Sequence, residues 1–408
     1  MIRFAIIGVG GFARTHLSAL ADCERRGIAA LKAAVIRNPD KYEMEERSLS
    51  SRGVRVYRSY QELFAHETDS IDVIIVPGGV DQHAEQSIAA LEAGFHVLCE
   101  KPVAGIYAEA LAMKTACDAS GKFLAIGFQN IFSHSIQRIK EIAVSRKLGA
   151  LTAAETYALW ARSSAYYRRN AWAGKLTANG KTINDSPAQN ALAHYLQNML
   201  YVAGRTHHGS AGMRSLYGEN YRAKDIESAD TQFVRVITNT GVPLTFIVTH
   251  ATPSMKGPVA HFHFESGRVE WTFEGEGHTR VFANDTRDGK LIDEFSNGSD
   301  SLAVRVIEDT AAAVAEKREP LCTIHNAMQH TQCIDALFRS PITGIASRYT
   351  ERLPVTREFY DADADVTGAF NIVINEIDPL IERMFREKKS FSETGVPWGE
   401  PGVTTALT

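Results

Sequence analysis

The chain has 408 residues, 44% hydrophobic and 23% charged, with a formal net charge of -4. This is the balance of a globular protein of two or three domains, and it excludes a disordered or fibrous chain. No dense Lys/Arg block points to nucleic acid or an anionic membrane surface, and no apolar run approaches the roughly 20 residues of a membrane span.

The sequence opens on an apolar strand, Phe4 to Ile7, with no cleavable leader pattern, so a cytoplasmic location is expected. Its five cysteines are widely spaced without a C-x-x-C pair and read as reduced, mostly buried, small apolar residues. The first strand runs into Gly8-Val9-Gly10-Gly11-Phe12-Ala13 and then a helical pattern from about Phe12 to Leu20. Strand, G-x-G-x-x-A turn and helix in that order make a dinucleotide-binding turn. Gly8 permits the tight turn, Gly10 lets a pyrophosphate lie against the backbone, and Ala13 lets the helix pack closely on the sheet. The N–H groups around Gly11, Phe12 and Ala13 and the positive end of the helix dipole then face the diphosphate.

Short apolar segments recur at 31–36, 54–57, 73–76, 97–99 and 123–126, separated by helix-compatible sequence. That alternation predicts a parallel, doubly wound α/β sheet. At the end of the second strand no acid stands between Ala34 and Pro39 to bind a ribose 2′-OH, whereas Arg37, beside Asn38, stands where a cation would meet a 2′-phosphate. This leans towards NADP over NAD; the alternative is an Arg that touches only solvent or the adenine face. The fourth strand ends at Pro77-Gly78-Gly79, where the backbone can approach a cofactor. Asp81 is placed to cap the next helix, and His83 reads as a structural or cofactor-edge residue. The fifth strand ends in Glu100-Lys101-Pro102, which sets an ammonium beside the expected nicotinamide to hold a substrate oxygen and stabilise a developing alkoxide. The plainer alternative is a surface salt bridge between Lys101 and Glu100.

Gly8-x-Gly10-x-x-Ala13, Glu100-Lys101-Pro102 and Gly127-Phe128 together resemble the Gfo/Idh/MocA family, founded on glucose-fructose oxidoreductase, inositol dehydrogenase and a rhizopine-catabolism protein. The resemblance covers the N-terminal domain well and the second domain more loosely. It implies an NAD(P)-binding Rossmann domain, then an α/β domain whose open, mostly antiparallel sheet often serves as an oligomer interface, hence a homodimer or homotetramer. It further implies oxidation or reduction of sugars, cyclitols or their derivatives, with Lys101 at the nicotinamide and Pro77, His83, Glu100 and Gln129 among the cofactor contacts.

The rest of the chain is consistent with that. A helix from about Ser133 to Arg146 leads to a strand at Leu151–Trp160, and strand-like runs follow at 231–237, 243–249, 260–264, 269–273 and 279–282. Between them lies a long polar and aromatic segment with Arg162, Tyr166, Tyr167, Arg168, Arg169, Asn170, Trp172 and Asp185. Aromatic faces with Arg, Asn and Asp suit a hydroxyl-rich ring, so this reads as a substrate-facing loop, or else as a loop packed on a neighbouring subunit. Asn190 and His194 fall four apart in a helix expected to start from an Asp185-Ser186-Pro187 cap and to reach about Val202, so they share one face. The family pattern has an Asp four residues before this His, forming a catalytic set with the Lys. His194 matches, but Asn190 replaces the Asp, which makes the imidazole a weaker base unless Asp185 or another acid compensates.

His261 and His263 alternate on one strand face but lack an acid or Cys at helpful spacing, and His207-His208 lies in a loop, so no metal is assigned. Helices are expected at Leu302–Glu316 and from about Asn326 to Phe338, the latter with His325 and His330 as packing or surface residues. After Arg348 comes a tail with a possible strand at 355–359, a helix near 372–388 and a Gly/Pro-rich end. The expected domains are 1–127 for the dinucleotide, 128–348 for substrate binding and oligomerisation, and 349–408 as an extension on the core or a neighbouring subunit. The expected chemistry is hydride transfer between a nicotinamide and a carbohydrate-like substrate, His194 removing a hydroxyl proton and Lys101 holding the oxygen. Two other readings stay open: an NAD-dependent glycoside hydrolase working by transient oxidation and elimination, and a non-catalytic cofactor-sensing regulator.

Overall fold

The structure is a computed structural model that describes residues 1–273, 277–286, 289–298, 301–358 and 364–407. It divides into two compact units, Met1–Ser133 with Ser299–Met328, and His134–Gly298 with Gln329–Thr408. No helix among the described residues is long and apolar enough to cross a membrane.

In the first unit β1 (Ile2–Ile7), α1 (Ala13–Arg25), β2 (Ala29–Val35), α2 (Glu43–Ser51), β3 (Arg55–Tyr57), α3 (Tyr60–Glu67), β4 (Val73–Val76), α4 (Val80–Glu92), β5 (His96–Cys99), α5 (Tyr107–Ser120) and β6 (Leu124–Ile126) alternate. Their strands form one parallel sheet in the order β3-β2-β1-β4-β5-β6. The order reverses between β1 and β4, and it is outside the strand C-termini at such a switch that doubly wound sheets bind ligands. Phe4, Ile6, Ile74, Ile75 and Leu98 are wholly buried, because helices cover both faces of a parallel sheet and its strands read as continuous apolar runs. Asp81 lies inside the first turn of α4 and Gly79 is the N-cap, so the expected capping role is not realised.

The second unit begins with α6 (His134–Ser145), β7 (Leu151–Trp160), α7 (Ser164–Arg168), the hairpin of β8 (Thr177–Ala178) and β9 (Lys181–Thr182), and α8 (Ala193–Val202). There follow β10 (Met213–Arg222), β11 (Thr231–Thr238), β12 (Pro243–Thr249), β13 (Met255–Phe264), β14 (Gly267–Thr272), β15 (His278–Ala283) and β16 (Lys290–Ser296). The chain then returns to the first unit with α9 (Leu302–Glu316), which packs on α1, buries Val306, Ile307 and Ala311, and pairs Glu308 with Arg26. The Ile126 N–H donates to the Cys322 carbonyl at 2.8 Å. Residues 299–328, expected in the second domain, therefore belong to the first; periodicity gives a helix its bounds but not the sheet it packs against.

After α10 (Ile324–Leu337) come β17 (Ile342–Gly344), β18 (Thr350–Pro354), β19 (Phe370–Ile374), α11 (Ile377–Glu387) and β20 (Val403–Ala406). The strand expected at 355–359 is instead β18, and Phe359 lies outside the described residues. The helix expected from 372 starts at Ile377, because residues 370–374 pair with β18. The large sheet runs β16-β15-β14-β13-β7-β12-β11-β10-β17, with β20 on β10. Only β7–β12 and β10–β17 are parallel. The strands β10 and β16 were missed because their faces carry Glu219, Asn220 and Arg222, and Lys290, Asp293 and Glu294, which hide the apolar alternation.

The two faces of this sheet are covered differently. On one, α8 packs against β7 and β12, with Tyr195 edge-on to Trp160 at 5.8 Å and near Trp271 at 6.1 Å. On the other, Tyr157, Leu159, Phe233 and Ile247 meet Ile377, Ile381, Met384 and Phe385 of α11 together with Phe391 and Trp398. The α11 contacts recur at i, i+4, i+7 and i+8, the stripe of an amphipathic helix. Fully burying each such side chain contributes about 1.5–3 kcal/mol, so the tail is part of this unit's core.

Candidate functional site

In the first unit, Gly8 has φ +103° and Gly11 φ +57°, conformations in which a Cβ is strained. The Ala13 N–H donates to the Gly10 carbonyl and the Arg14 N–H to the Gly11 carbonyl, both at 3.2 Å, and α1 begins at Ala13. Two left-handed glycines, a small residue at the helix start and a helix N-terminus fit a dinucleotide diphosphate. Gly10 also has a neighbour within the chain. A Cβ there would run into the ring and hydroxyl of Tyr42, just before α2, so the bare Gly10 backbone admits a phenol, and that hydroxyl stands over the glycine turn.

Glu100 is 4% exposed, and a buried carboxylate requires partners. His16 Nε2 of α1 lies 2.8 Å from its Oε1, the Lys101 N–H donates to Oε2 at 3.1 Å, and Gln129 Nε2 donates to Oε1 at 3.4 Å. Gly127 backs onto the same carboxylate closely enough that a Cβ would collide with it, which gives the Gly127-Phe128 motif its physical reason. Glu100 is thus a buried hub joining α1, the tip of β5 and the segment after β6, not one half of a surface salt bridge. His83, 1% exposed, sets Nδ1 2.7 Å from the Pro102 carbonyl and Nε2 3.0 Å from that of Gly78. Burial holds its pKa below the usual range against those carbonyls. It braces the turn after Lys101 to the end of β4. Pro77 is buried; Arg37 and Asn38 are exposed, and Asn38 Oδ1 accepts the Lys41 N–H at 3.3 Å.

In the second unit the segment before α8 is not helical. The Asn190 N–H donates to the Ser186 carbonyl at 3.0 Å and the Leu192 N–H to that of Pro187 at 2.8 Å, while α8 starts only at Ala193. Asn190 and His194 therefore do not share a continuous helix face. Side chains hold the backbone in turns instead: Asp185 accepts from Asn190 Nδ2 at 2.8 Å and from the Gly174 N–H at 2.6 Å, and Gln232 Oε1 accepts the Ala188 N–H at 3.0 Å. Asp185, 6% exposed, holds Asn190 in place. His194 sits half-buried in the first turn of α8, 6.5 Å from the Tyr195 ring.

The aromatic segment is stacked on itself. The Arg162 guanidinium lies 5.3 Å from the Trp160 ring centre and 5.1 Å from that of Tyr166, and Arg169 lies 3.5 Å from Tyr166 and 5.2 Å from Trp172. Arg162 and Tyr166, expected to face a substrate, are buried and form the frame of the loop; Arg169 and Trp172 are half-buried. Asn170 Oδ1 accepts the Trp172 and Ala173 N–H groups at 3.1 and 2.8 Å, so it shapes the turn. Glu358 of the tail accepts the Ser163 N–H at 3.1 Å and also its hydroxyl. The expectation that His261 and His263 lack an acid is likewise corrected, since β7 sets Glu155 opposite His261.

Residues 2–128 match the oxidoreductase family with an NAD-binding Rossmann fold, Gfo/Idh/MocA. Over those residues the chain is similar to that family's dinucleotide-binding domain. Inositol 2-dehydrogenase of Rhodococcus erythropolis is 30% identical over 150 residues, 36% of this chain and 41% of that protein. Glucose-6-phosphate 3-dehydrogenase of Bacillus subtilis is 24% identical over 225 residues, 55% of this chain and 60% of that protein. The chain thus matches roughly two fifths to three fifths of the length of these relatives. Among solved structures, the WlbA dehydrogenase of Bordetella pertussis, in complex with NADH and UDP-GlcNAcA, superposes with a TM-score of 0.66 at 22% identity over 83% of this chain and 95% of that one. Levoglucosan dehydrogenase, in complex with NADH and levoglucosan, gives 0.70 at 16% identity over 83% and 96%. At these identities the structures speak to the fold alone, and the likeness in fold extends beyond residue 128.

Three residues that matter to this scaffold were not singled out from sequence: His16, Tyr42 and Glu358. His16 follows the glycine turn by one helical turn, a spacing visible in the sequence and readable as a partner for Glu100. Tyr42 and Glu358 act at long sequence separation and leave no local signal, while His250, just after β12, shares a 2.9 Å hydrogen bond with the Tyr167 hydroxyl.

Proposed function

We propose that the chain is a nicotinamide-dependent oxidoreductase that transfers hydride between NAD(P) and a hydroxyl-bearing carbon of a sugar, a cyclitol or a derivative. The observation that carries this reading is Lys101, at the C-terminal tip of β5 on the same parallel sheet that feeds the glycine turn, its backbone tied to the buried Glu100. The inositol and glucose-6-phosphate dehydrogenases among its relatives support it. A bound dinucleotide supplies the hydride acceptor or donor. Gly8, Gly10, Gly11, Phe12 and Ala13 at the turn, Arg37 and Asn38 after β2, Tyr42, and Pro77 after β4 are the residues to hold it; His83, Glu100 and Gln129 brace them. Lys101 donates a hydrogen bond to the reacting oxygen and stabilises its negative charge. His194 takes the hydroxyl proton, with Asn190 and Asp185 as its positioning residues. Arg169 and Trp172 offer a guanidinium and a ring face to a hydroxylated substrate.

Within this reading NADP is favoured, because Arg37 is exposed after β2 and no acid stands between Ala34 and Pro39. The test is a screen of sugars, cyclitols and their phosphates with NAD and with NADP, following reduced cofactor and product together. Stoichiometric reduced cofactor is expected, with NADP preferred about tenfold or more and the preference lost in Arg37→Ala. Product release without net cofactor reduction would overturn the assignment.

A further inference from the structure

Outside the residues used above, one cluster in the second unit has the composition of a transition-metal site. His261 and His263 lie two apart on β13, so their imidazoles leave the same face of the sheet, with ring centres 6.2 Å apart. On the adjacent antiparallel strand β7, Glu155 is in register with His261. One ligand atom from each of Glu155, His261 and His263 lies within 4.8 Å of the others. Tetrahedral zinc ligands at ~2.0–2.1 Å from the metal lie a little over 3 Å apart, so side-chain movements on the order of 1 Å close the set.

The surroundings favour a metal in three ways. Asp285 places its carboxylate oxygens 2.7 and 2.8 Å from His263 Nδ1. A carboxylate on Nδ1 holds the proton there and turns the Nε2 lone pair outwards, the outer-shell contact of metal-binding histidines. That Nε2 points at Glu155 Oε1, 2.5 Å away, so the metal-free pair is joined along the line a cation would enter. His261 is held edge-on by Phe385 at 4.9 Å, which limits its ring rotation. Against a metal stands Lys388, whose Nζ is 3.3 Å from Glu155 Oε1, but its side chain is 49% exposed and free to swing into solvent.

We propose that Glu155, His261 and His263 bind one divalent transition metal, Zn2+ by the chemistry of the donors, with Asp285 as the outer carboxylate and a fourth position left for water or an exogenous ligand. Two imidazoles and one carboxylate suit zinc better than calcium or magnesium, which prefer all-oxygen shells. The bound ion cross-links β7 to β13 beside the C-terminal end of α11.

The experiment is a Zn2+ titration of the tag-free full-length chain in competition with a chromophoric chelator, with Co2+ substitution read by its visible absorption and thermal unfolding measured with and without Zn2+. One equivalent is expected to bind, to give the intense visible bands of low-coordinate Co2+, and to raise the unfolding midpoint. His261→Ala and the isosteric Glu155→Gln are each expected to weaken binding tenfold or more and to abolish the thermal shift, while Lys388→Ala tightens binding several-fold. The exposed pair His207 and His208 is the control, and His207→Ala/His208→Ala is expected to bind as the parent does. No stoichiometric binding by the folded parent, unchanged binding in Glu155→Gln, or loss of binding in the control would each overturn the site.

Discussion

The tip of β5 and the stretch from Asp185 to His194 both carry side chains assigned to chemistry, and they are built in opposite ways. At the first, regular elements aim the residue: Lys101 leaves a buried parallel strand, and Glu100 and His83 fasten the turn beneath it with hydrogen bonds of 2.7 to 3.4 Å. At the second, particular side chains hold an irregular backbone, with Asp185 on Asn190 and Gly174 and Gln232 on Ala188. A strand tip inherits its precision from the whole sheet, whereas a side-chain-held turn can be moved by one substitution. The first arrangement is the harder to disturb and the more costly when disturbed.

The largest expected effect is therefore at the tip. Lys101→Ala should lower kcat by about two to three orders of magnitude with little change in the Michaelis constant for the dinucleotide, the signature of a donor felt mainly in the transition state. Steady-state kinetics with an unaltered kcat would remove Lys101 from the chemistry. Next comes Glu100→Ala. It strands the buried His16, the Lys101 N–H and Gln129 at once, and leaving buried donors unpaired costs about 1–3 kcal/mol each, so urea unfolding should show a loss of roughly 3 kcal/mol or more. Asn190→Ala, at a half-buried side chain whose loss leaves Asp185 its bond to the Gly174 N–H, should lose no more than about 1.5 kcal/mol by the same measurement. Equal losses at both positions would erase the contrast.

The same contrast accounts for what could be read from sequence. Strand β4 at Val73–Val76 and β7 at Leu151–Trp160 were legible to the residue, because buried parallel runs and half-buried alternation are local patterns. The glycine turn and Glu100-Lys101-Pro102 were legible for the same reason. The stretch 186–192 read as helix because its spacing is helical; what holds it otherwise is distant in sequence, Gln232 on the Ala188 N–H and the Gly174 N–H on the expected cap Asp185. Arg162 and Tyr166 read as substrate-facing because composition cannot tell a ring that stacks on sugar from one that stacks on guanidinium. Tyr42 at Gly10, Glu155 beside His261 and α9 on α1 are long-range pairings, and a single sequence carries no mark of them.

The second region also has a fixed far end. Lys140 of α6, fully buried, donates to the carbonyls of Gly204 and Gly209 at 2.8 and 2.9 Å and to that of Tyr201, closing the C-terminus of the helix whose first turn holds His194. Burial pulls its pKa down to about 7, against roughly 10.4 in an unfolded chain. Between those values the unfolded state binds one more proton than the folded state, so this lysine makes stability rise with pH from about 7 to about 10, by up to a factor of about ten in the folding constant per pH unit. Its contribution fades as pH falls through 7. Denaturant unfolding of the parent and of Lys140→Met at pH 7, 8 and 9 checks this: the parent should gain on the variant at each step, and parallel pH profiles would show that Lys140 does not titrate there.

The smallest expected effect concerns Tyr42, and it tests why Gly10 is glycine. If the phenol hydroxyl donates to the dinucleotide, Tyr42→Phe should raise the Michaelis constant for the dinucleotide about two- to tenfold, the worth of one neutral hydrogen bond, and leave kcat alone. Gly10→Ala should be worse, since its Cβ runs into the Tyr42 ring. The two causes separate in a double variant. Where Tyr42 is the only thing Gly10 must accommodate, Tyr42→Ala removes the collision and Gly10→Ala becomes tolerable in that background. Where the diphosphate also needs the bare backbone, Gly10→Ala abolishes dinucleotide binding in either background, and the coupling between the two positions is close to nil. Partial rescue, with binding restored to within about tenfold of Tyr42→Ala alone, would mean that phenol and diphosphate both press on the same glycine, with the ring nearer.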